Sequence, residues 1–440
     1  MKKLFSPALA VCALGLAAAP VAAEKVYVPV TQPHATELWI SNYDLTERPY
    51  RATFLGLEGG AGRGVQDVVP ADRAVLLDQV APAGATGLVE LEAAPELLVD
   101  AWVTSTSQRG VTYITGVPVI RGANLIAADG TALLNGLGSG VSDLGLVNLG
   151  SGAASCQVEP VRVDGSAAGA SAVFEVAAAS LRRLEGAPDA DAVAAKVSCD
   201  QPFYAYATAV DAETSEVSFV LPSPAGEAVA APARAKGNED DLPAGAVVFN
   251  QNGFFHSPAR GNDKGVLRIP VPRELSLSRL NIDWDVKVGP WSKRKPDGSH
   301  AMMWLHRGRF RSNTVANVNA WGLNKRFIKV NQNLDLPPRK NTNISVKLGV
   351  EQGKTYHVRY VYDALSRSIN VAFSEGGQVQ RTGRLPGTVK NHVLRIPKTG
   401  LVAEFGHYST QHPPEMETWG WAYGNLRIEM IPKNAGSRRR

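Results

Sequence analysis

Apolar and polar residues alternate with period two through most of the chain, and no long stretch keeps a helical period. Such alternation gives a strand one buried face and one wet face. The clearest cases lie in the last third. LNIDWDVKV is predicted to bury Leu280, Ile282, Trp284, Val286 and Val288 and to turn Asn281, Asp283, Asp285 and Lys287 outward. In SHAMMWLHRGRF, Ala301, Met303 and Leu305 form the apolar side, opposite His300, Met302, Trp304 and His306. VANVNAWG sets Asn317, Asn319 and Trp321 against Ala316, Val318 and Ala320, and TYHVRYVYD turns out His357 and Arg359 between the inward Tyr356, Val358 and Tyr360. Near the end, Leu426, Ile428 and Met430 alternate with Asn425, Arg427 and Glu429, and the same wet parity extends back through Tyr423, Trp421 and Trp419.

The stretch after residue 23 has shorter strands, broken by Gly, Pro, Asp and Ala clusters, and contains an internal repeat. ELWISNYDLTERPYRATFLGLEG (Glu37 to Gly59) corresponds to DLGLVNLGSGAASCQVEPVRVDG (Asp143 to Gly165), with Asn42 matching Asn148, and LLVDAWVTS (Leu97 to Ser105) corresponds to PFYAYATAV (Pro202 to Val210). Two units of this kind predict tandem β-sandwiches over residues 24–122 and 123–222. Their strand pattern resembles the Ig-like surface modules of secreted bacterial proteins. Trp39 and Trp102 occupy matching strand positions, where core packing is expected of so large a ring. Ala178 to Leu184 is short enough to form a single helical turn. Residues 223–245 shift to Pro, Ala and charge and read as a linker, residues 246–433 as a larger all-β domain, and residues 434–440 as a basic tail. The predicted fold class is therefore all-β, with two small sandwiches followed by a larger one.

Composition adds a location and a charge asymmetry. Lys2 and Lys3, the apolar Leu9 to Ala19 and the small Val21-Ala22-Ala23 read as a signal peptide over residues 1–23. No later apolar run approaches the ~20 residues that span a bilayer. The expected location is outside the cytoplasm: secreted, periplasmic or on the surface of a bacterium. Of three cysteines, Cys12 falls in the signal peptide, leaving Cys156 and Cys199 to form a disulfide. Cys156 shares the parity of the inward Val158, so the bond is expected to cross the core of the second sandwich. Residues 241–440 hold 31 Lys+Arg against 14 Asp+Glu, and residues 24–240 hold 13 against 27. The basic half is suited to steering acidic polysaccharide toward it. No nucleic-acid-binding motif accompanies the charge, and nucleic acid is not an expected partner.

At YHVRYVYDALSRSINVAFSEGG (Tyr356 to Gly377) the chain resembles the hairpin of concanavalin A-like lectin/glucanase domains, the laminin-G-like jelly rolls. The resemblance covers about 180 residues and implies that the strands from Val247 and from Tyr423 meet, that one sheet carries the ligand groove, and that carbohydrate is the usual partner. The E-x-D-x-x-E strand of the family's glucanases, which sets two carboxylates about a glycosidic bond, is absent. Glu415 with Glu417, and Asp283 with Asp285, are weak substitutes. The enzymatic alternative is a polysaccharide lyase, in which a base and an acid act beside a group that neutralises a uronate. His306, His357, Arg359 and Tyr408 have those residue types, within an outward set that also includes His300 and His407, and seven of the eight histidines lie in this domain. No H-E-x-x-H or other metal motif occurs, and no cofactor is required; a calcium ion would draw on Asn262, Asp263 and Asp297. The reading is a secreted, lectin-like protein for anionic glycans. Trp304, Trp321 and Trp421 are its stacking platforms and Asn317, Asn319, His357 and Arg359 its polar readers. A structural or adhesion protein that partners through the repeats is the remaining alternative.

Overall fold

The computed structural model describes residues 23–433 except 31–35, 43, 58–60, 78–79, 83, 138–140, 163, 187–191, 212–213, 225–241, 257–263, 290–298, 308–313, 322–326, 333–341, 348–350, 352, 367, 387–393 and 408–421. Apart from one three-residue 3-10 turn at Gly122–Asn124, the described elements are all strands.

The repeat is visible as repeated topology. One sheet of the first sandwich runs Ala61–Val69, Arg48–Gly56, Gly87–Ala93, Glu24–Val30, Ile120–Arg121, and one sheet of the second runs Ala172–Val176, Ala154–Val161, Ala194–Cys199, Thr131–Asn135, Ser223–Pro224. The facing sheets match in the same way: Arg73–Leu77, Thr36–Asn42, Leu98–Thr106, Thr112–Gly116 in the first, and Ser180–Glu185, Val141–Asn148, Phe203–Val210, Val217–Val220 in the second. The matched asparagines show why the repeat persists at residue level. Asn42 is fully buried at a strand end, where its Nδ2 donates to Thr46 O (2.8 Å) and Val69 O (2.9 Å) and its Oδ1 accepts from Asp44 N (2.9 Å). Asn148 does the same with Gly152 O (2.8 Å), Val176 O (3.0 Å) and Gly150 N (2.8 Å). In each unit one amide satisfies the backbone of the following turn and ties it to a strand of the other sheet, an arrangement that leaves no buried donor unpaired there.

Two expectations change in the second sandwich. Ser180–Glu185 is a strand paired with Val141–Asn148, not a helical turn, and its alternating Leu181 and Leu184 are buried. Cys156 and Cys199 are bonded and buried as expected, but they stand directly opposite each other on neighbouring strands with Cα atoms 4.1 Å apart. The disulfide therefore staples one sheet on its inner face and does not cross between sheets. Parity gave the correct face, but the strand pairing determines the partner.

The C-terminal part is a two-layer antiparallel sandwich. One layer has six strands in the order Lys264–Ile269, Leu401–His407, Ser299–Arg307, Thr314–Trp321, Phe327–Gln332, Thr342–Lys347. The other runs Gln378–Pro386, Ser368–Glu375, Thr355–Asp363, Leu275–Lys287, Ala422–Pro432, Val247–His256. The Tyr356 hairpin closes with Asp363 opposite Ser368, and Asp363 Oδ1 accepts from Leu365 N (2.8 Å) and Ser366 N (3.0 Å) to hold the turn. The first and last strands pair from Val247↔Met430 to His256↔Tyr423. Leu280, Ile282, Trp284, Val286 and Val288 face inward, as alternation requires, and pack with Tyr356, Val358, Tyr360, Met303, Leu305 and Phe405.

The second layer does not stop at the domain edge. Val247–Asn250 pairs in parallel with Thr112–Thr115 of the first sandwich, so one sheet of eleven strands spans both units. Trp102 and Ile114 belong to the C-terminal core, and Trp39 stacks on Trp102 at 6.0 Å with the Arg268 guanidinium 5.6 Å above its ring. The two tryptophans are core residues, as expected, of the seam between units. Gly116 sits at this junction because a Cβ there would lie 1.6 Å from Gln251 Oε1. The second sandwich joins the same seam: Thr115 Oγ1 donates to Val217 O (2.6 Å), and the buried Glu216 accepts from Asn250 Nδ2 (2.5 Å) with Arg427 Nη1 3.8 Å away. The sandwiches are a platform bonded to the basic domain, not a spacer that projects it.

Candidate functional site

The six-stranded layer holds the candidate site. Ser299–Arg307 alternates, and Met303 and Leu305 are wholly buried in the core while Trp304 between them is partly exposed. Strand register builds a row across the sheet: Val266, Glu404, Trp304, Asn317, Asn331 and Asn343 stand opposite one another on successive strands. The next row of the same parity runs Gly406, Ala301, Asn319, Lys329, Ser345, and a third brings Ser299, Trp321, Phe327 and Lys347 together. Trp304, Asn317, Asn319 and Trp321 thus belong to one sheet and to neighbouring rows, as the sequence predicted.

His306 departs from its expected place. It was expected on the wet face, yet it is 2% exposed, edge-on to Trp304 with ring centroids 6.0 Å apart, and its Nε2 lies 3.6 Å from Glu404 Oε2. Glu404 is itself fully buried. A register shift separates Leu305 from His306 against the neighbouring strand, so this end of the strand is no longer a simple continuation of the wet row. A buried imidazole beside a buried carboxylate is a proton-holding pair that braces Trp304. Glu404 was missed in the sequence, where LVAEFGH reads as an apolar strand; the one carboxylate inside that run was the available signal.

His357 and Arg359 are in the other layer. They lie on the Thr355–Asp363 strand, on its side away from the core, opposite Asp285 and Asp283. His357 Nδ1 is 2.9 Å from Asp285 Oδ1 and its Nε2 is 3.4 Å from Asp283 Oδ1, with Arg359 Nε 3.6 Å from the same Asp283 oxygen. Hydrogen bonding to Asp283, then to Asp285, raises the imidazole pKa to about 9 against the opposing effect of burial. At neutral pH this histidine is a cation in an ion cluster and does not act as a base. Asn425 Nδ2 donates to Asp285 Oδ2 (2.7 Å) and its Oδ1 accepts from Gly253 N (2.8 Å), so the cluster binds four strands together. The supposed wet face here is partly closed: Asn281, Asp285 and Glu429 are buried, with Asn281 Nδ2 donating to Glu429 Oε2 (2.7 Å).

Tyr423 also corrects the alternation. Asn425 adopts a left-handed φ of 49°, and the register shifts between Asp283 and Asp285 against the Ala422–Pro432 strand. One extra residue reverses parity, so Tyr423 is fully buried against Phe405 (5.5 Å) instead of lying on the wet side. Tyr408, Glu415, Glu417, Trp419, Trp421, Asn262, Asp263 and Asp297 lie outside the described residues, as do the side chains of His300, Asn317, Asn319, Trp321 and His407. Among the described residues no three His, Cys, Asp or Glu side chains are grouped to hold a metal ion, and no helix is long and apolar enough to cross a membrane.

No protein-family description and no curated protein matches the chain. Among solved structures it is similar to basic winged bean lectin with Tn-antigen, at 12% identity over 43% of this chain and 99% of that one, with a TM-score of 0.29. It is similar to a native heptameric SAP-like pentraxin from Limulus polyphemus at 16% identity, over 39% of this chain and 73% of that one, with a TM-score of 0.28. It is also similar to the marine PL-14 alginate lyase from Aplysia kurodai at 10% identity, over 41% of this chain and 81% of that one, with a TM-score of 0.27. Likenesses this shallow carry no argument about activity. The chain's own sheets, two antiparallel layers in which the first and last strands of the domain pair side by side, have the arrangement of a concanavalin A-like jelly roll.

Proposed function

We propose that this is an exported carbohydrate-binding protein whose six-stranded sheet takes an anionic glycan beside Trp304. Trp304 carries the reading: a partly exposed indole in a strand whose flanking Met303 and Leu305 are core, registered between Glu404 and Asn317. An aromatic face next to hydrogen-bonding groups suits a sugar ring, whose C–H face stacks while its hydroxyls find partners. The basic surplus of residues 241–440 favours acidic chains over neutral ones through long-range steering. The disulfide accords with an oxidising compartment. A glycan array probed with the wild type and with Trp304→Ala, each checked by near-ultraviolet circular dichroism, tests the reading. Binding to acidic glycans that Trp304→Ala abolishes is the expected result. Equal binding by both proteins removes the site.

The lyase reading has the His306–Glu404 pair in its favour, 3.6 Å apart beside the same indole. Absorbance of unsaturated sugar ends during incubation with polyuronates distinguishes it from a lectin. The absence of such products with a binding-competent protein eliminates the lyase.

A further inference from the structure

The register of the six-stranded sheet extends the site well past the residues that alternation alone singles out. Asn317 stands opposite Asn331, and Asn331 opposite Asn343, so the row through Trp304 continues as three asparagines on three adjacent strands. In the neighbouring row of the same parity, Asn319 stands opposite Lys329. The row of opposite parity between them, Met303, Val318, Val330 and Ile344, starts from a residue wholly buried in the core and is apolar throughout. Amides and a cation on one set of rows, with aliphatic residues on the other, are the composition of a sheet whose second face is reserved for polar contact. From the Glu404 strand to the Asn343 strand there are four strand spacings, or roughly 19 Å. That is too long for one sugar ring and fits a run of several.

We infer, resting on the carbohydrate reading above, that the sheet binds the interior of an extended acidic polysaccharide laid across its strands. Trp304 stacks on one residue, the Asn317–Asn331–Asn343 row hydrogen-bonds successive hydroxyls, and Lys329 neutralises a carboxylate. Asparagine suits this role because each amide offers both donors and an acceptor to a hydroxyl. Lysine suits it because a flexible ammonium follows a carboxylate without fixing its orientation.

The test is isothermal titration of the full chain with oligogalacturonides from disaccharide to hexasaccharide, and with neutral cello-oligosaccharides of the same lengths. Affinity for the acidic series is expected to rise with each added residue, while Lys329→Gln weakens the hexasaccharide about fivefold, the factor that ~1 kcal/mol of a partly exposed charge pair corresponds to. Lys329→Gln is expected to leave any binding of the neutral series unchanged and to make the acidic binding less sensitive to salt. Asn331→Ala is expected to weaken long oligomers and leave the disaccharide unaffected. Affinity independent of length, or indifferent to both variants, overturns the inference. If Trp304→Ala weakens binding and Lys329→Gln and Asn331→Ala do not, the extension fails and the site at Trp304 stands. If the wild type binds neither series, the inference fails.

Discussion

His357 and Asp100 give the stability of this protein a defined pH dependence. The imidazole pKa of His357 rises from its ordinary 6.5 to about 9 because Asp283 and Asp285 hold its charged form. A raised pKa contributes stability that is complete below the unfolded value and is lost as pH rises through the folded one. Asp100 is buried at the Trp39 seam, and burial raises its pKa from 3.8 to about 7 despite the Arg268 charge, the Arg268 backbone N–H and Arg121. Its raised value has the same sign: the contribution is complete below about 3.8 and disappears through about 7. Urea midpoints are therefore expected to fall from about pH 4 to 7 through Asp100, and again from about 6.5 to 9 through His357. Asp100→Asn should flatten the first limb and His357→Gln the second. A midpoint that stays constant across both windows contradicts the assignment. The residue types at these positions were legible in the sequence, but their roles were not. His357 read as a ligand contact because its two aspartates lie some seventy residues away on another strand.

Within elements, the strand ends and the staple matter most. Asn148→Ala removes an amide that serves three backbone carbonyls and one N–H, all in a buried corner. The expected loss is ~2–4 kcal/mol, since each buried group left unsatisfied costs ~1–3 kcal/mol. Asn42→Ala should cost a similar amount in the first sandwich, and denaturant titration of the two variants checks both. The disulfide closes a segment with a sequence separation of 43. Its reduction, or Cys156→Ala/Cys199→Ala, is expected to lower stability by roughly 4 kcal/mol in the chain-entropy model, with the second sandwich unfolding first. Hydrogen-exchange mass spectrometry resolves which sandwich opens. These features follow closely from sequence, because the asparagines and cysteines act on neighbours set by local strand order. Parity served as well wherever strands ran unbroken, as in Leu280 to Val288. It failed at Tyr423, where one left-handed residue, Asn425, reverses every later assignment.

Across the whole molecule, the parallel pairing of Val247–Asn250 with Thr112–Thr115 makes the first sandwich and the C-terminal domain one folding unit. Trp102 lies in a core otherwise built from C-terminal residues, with its Nε1 donating to Glu37 Oε2 at 3.1 Å. Trp102→Ala is expected to cost ~3–5 kcal/mol and to lower the melting temperature of the C-terminal domain along with that of the first sandwich, as read by calorimetry. Expressed alone, residues 242–440 should be aggregation-prone, because an apolar strand edge and the face under Trp102 are exposed together. A C-terminal fragment with the full-length melting temperature would refute the shared core. The sequence by itself determined the all-β class, the tandem repeat, the cysteine pair, the jelly-roll hairpin and the row membership of Trp304 with its asparagines. Each of these depends on alternation or on contacts between adjacent elements, which spacing along the chain encodes. Only the tertiary structure decided that His357 and Arg359 stand on the layer away from Trp304, that His306 is buried against Glu404, and that the repeats are bonded to the domain they precede. Sheet membership and parallel edge pairing join segments more than a hundred residues apart, and the alternation of a strand is the same whichever partner it meets.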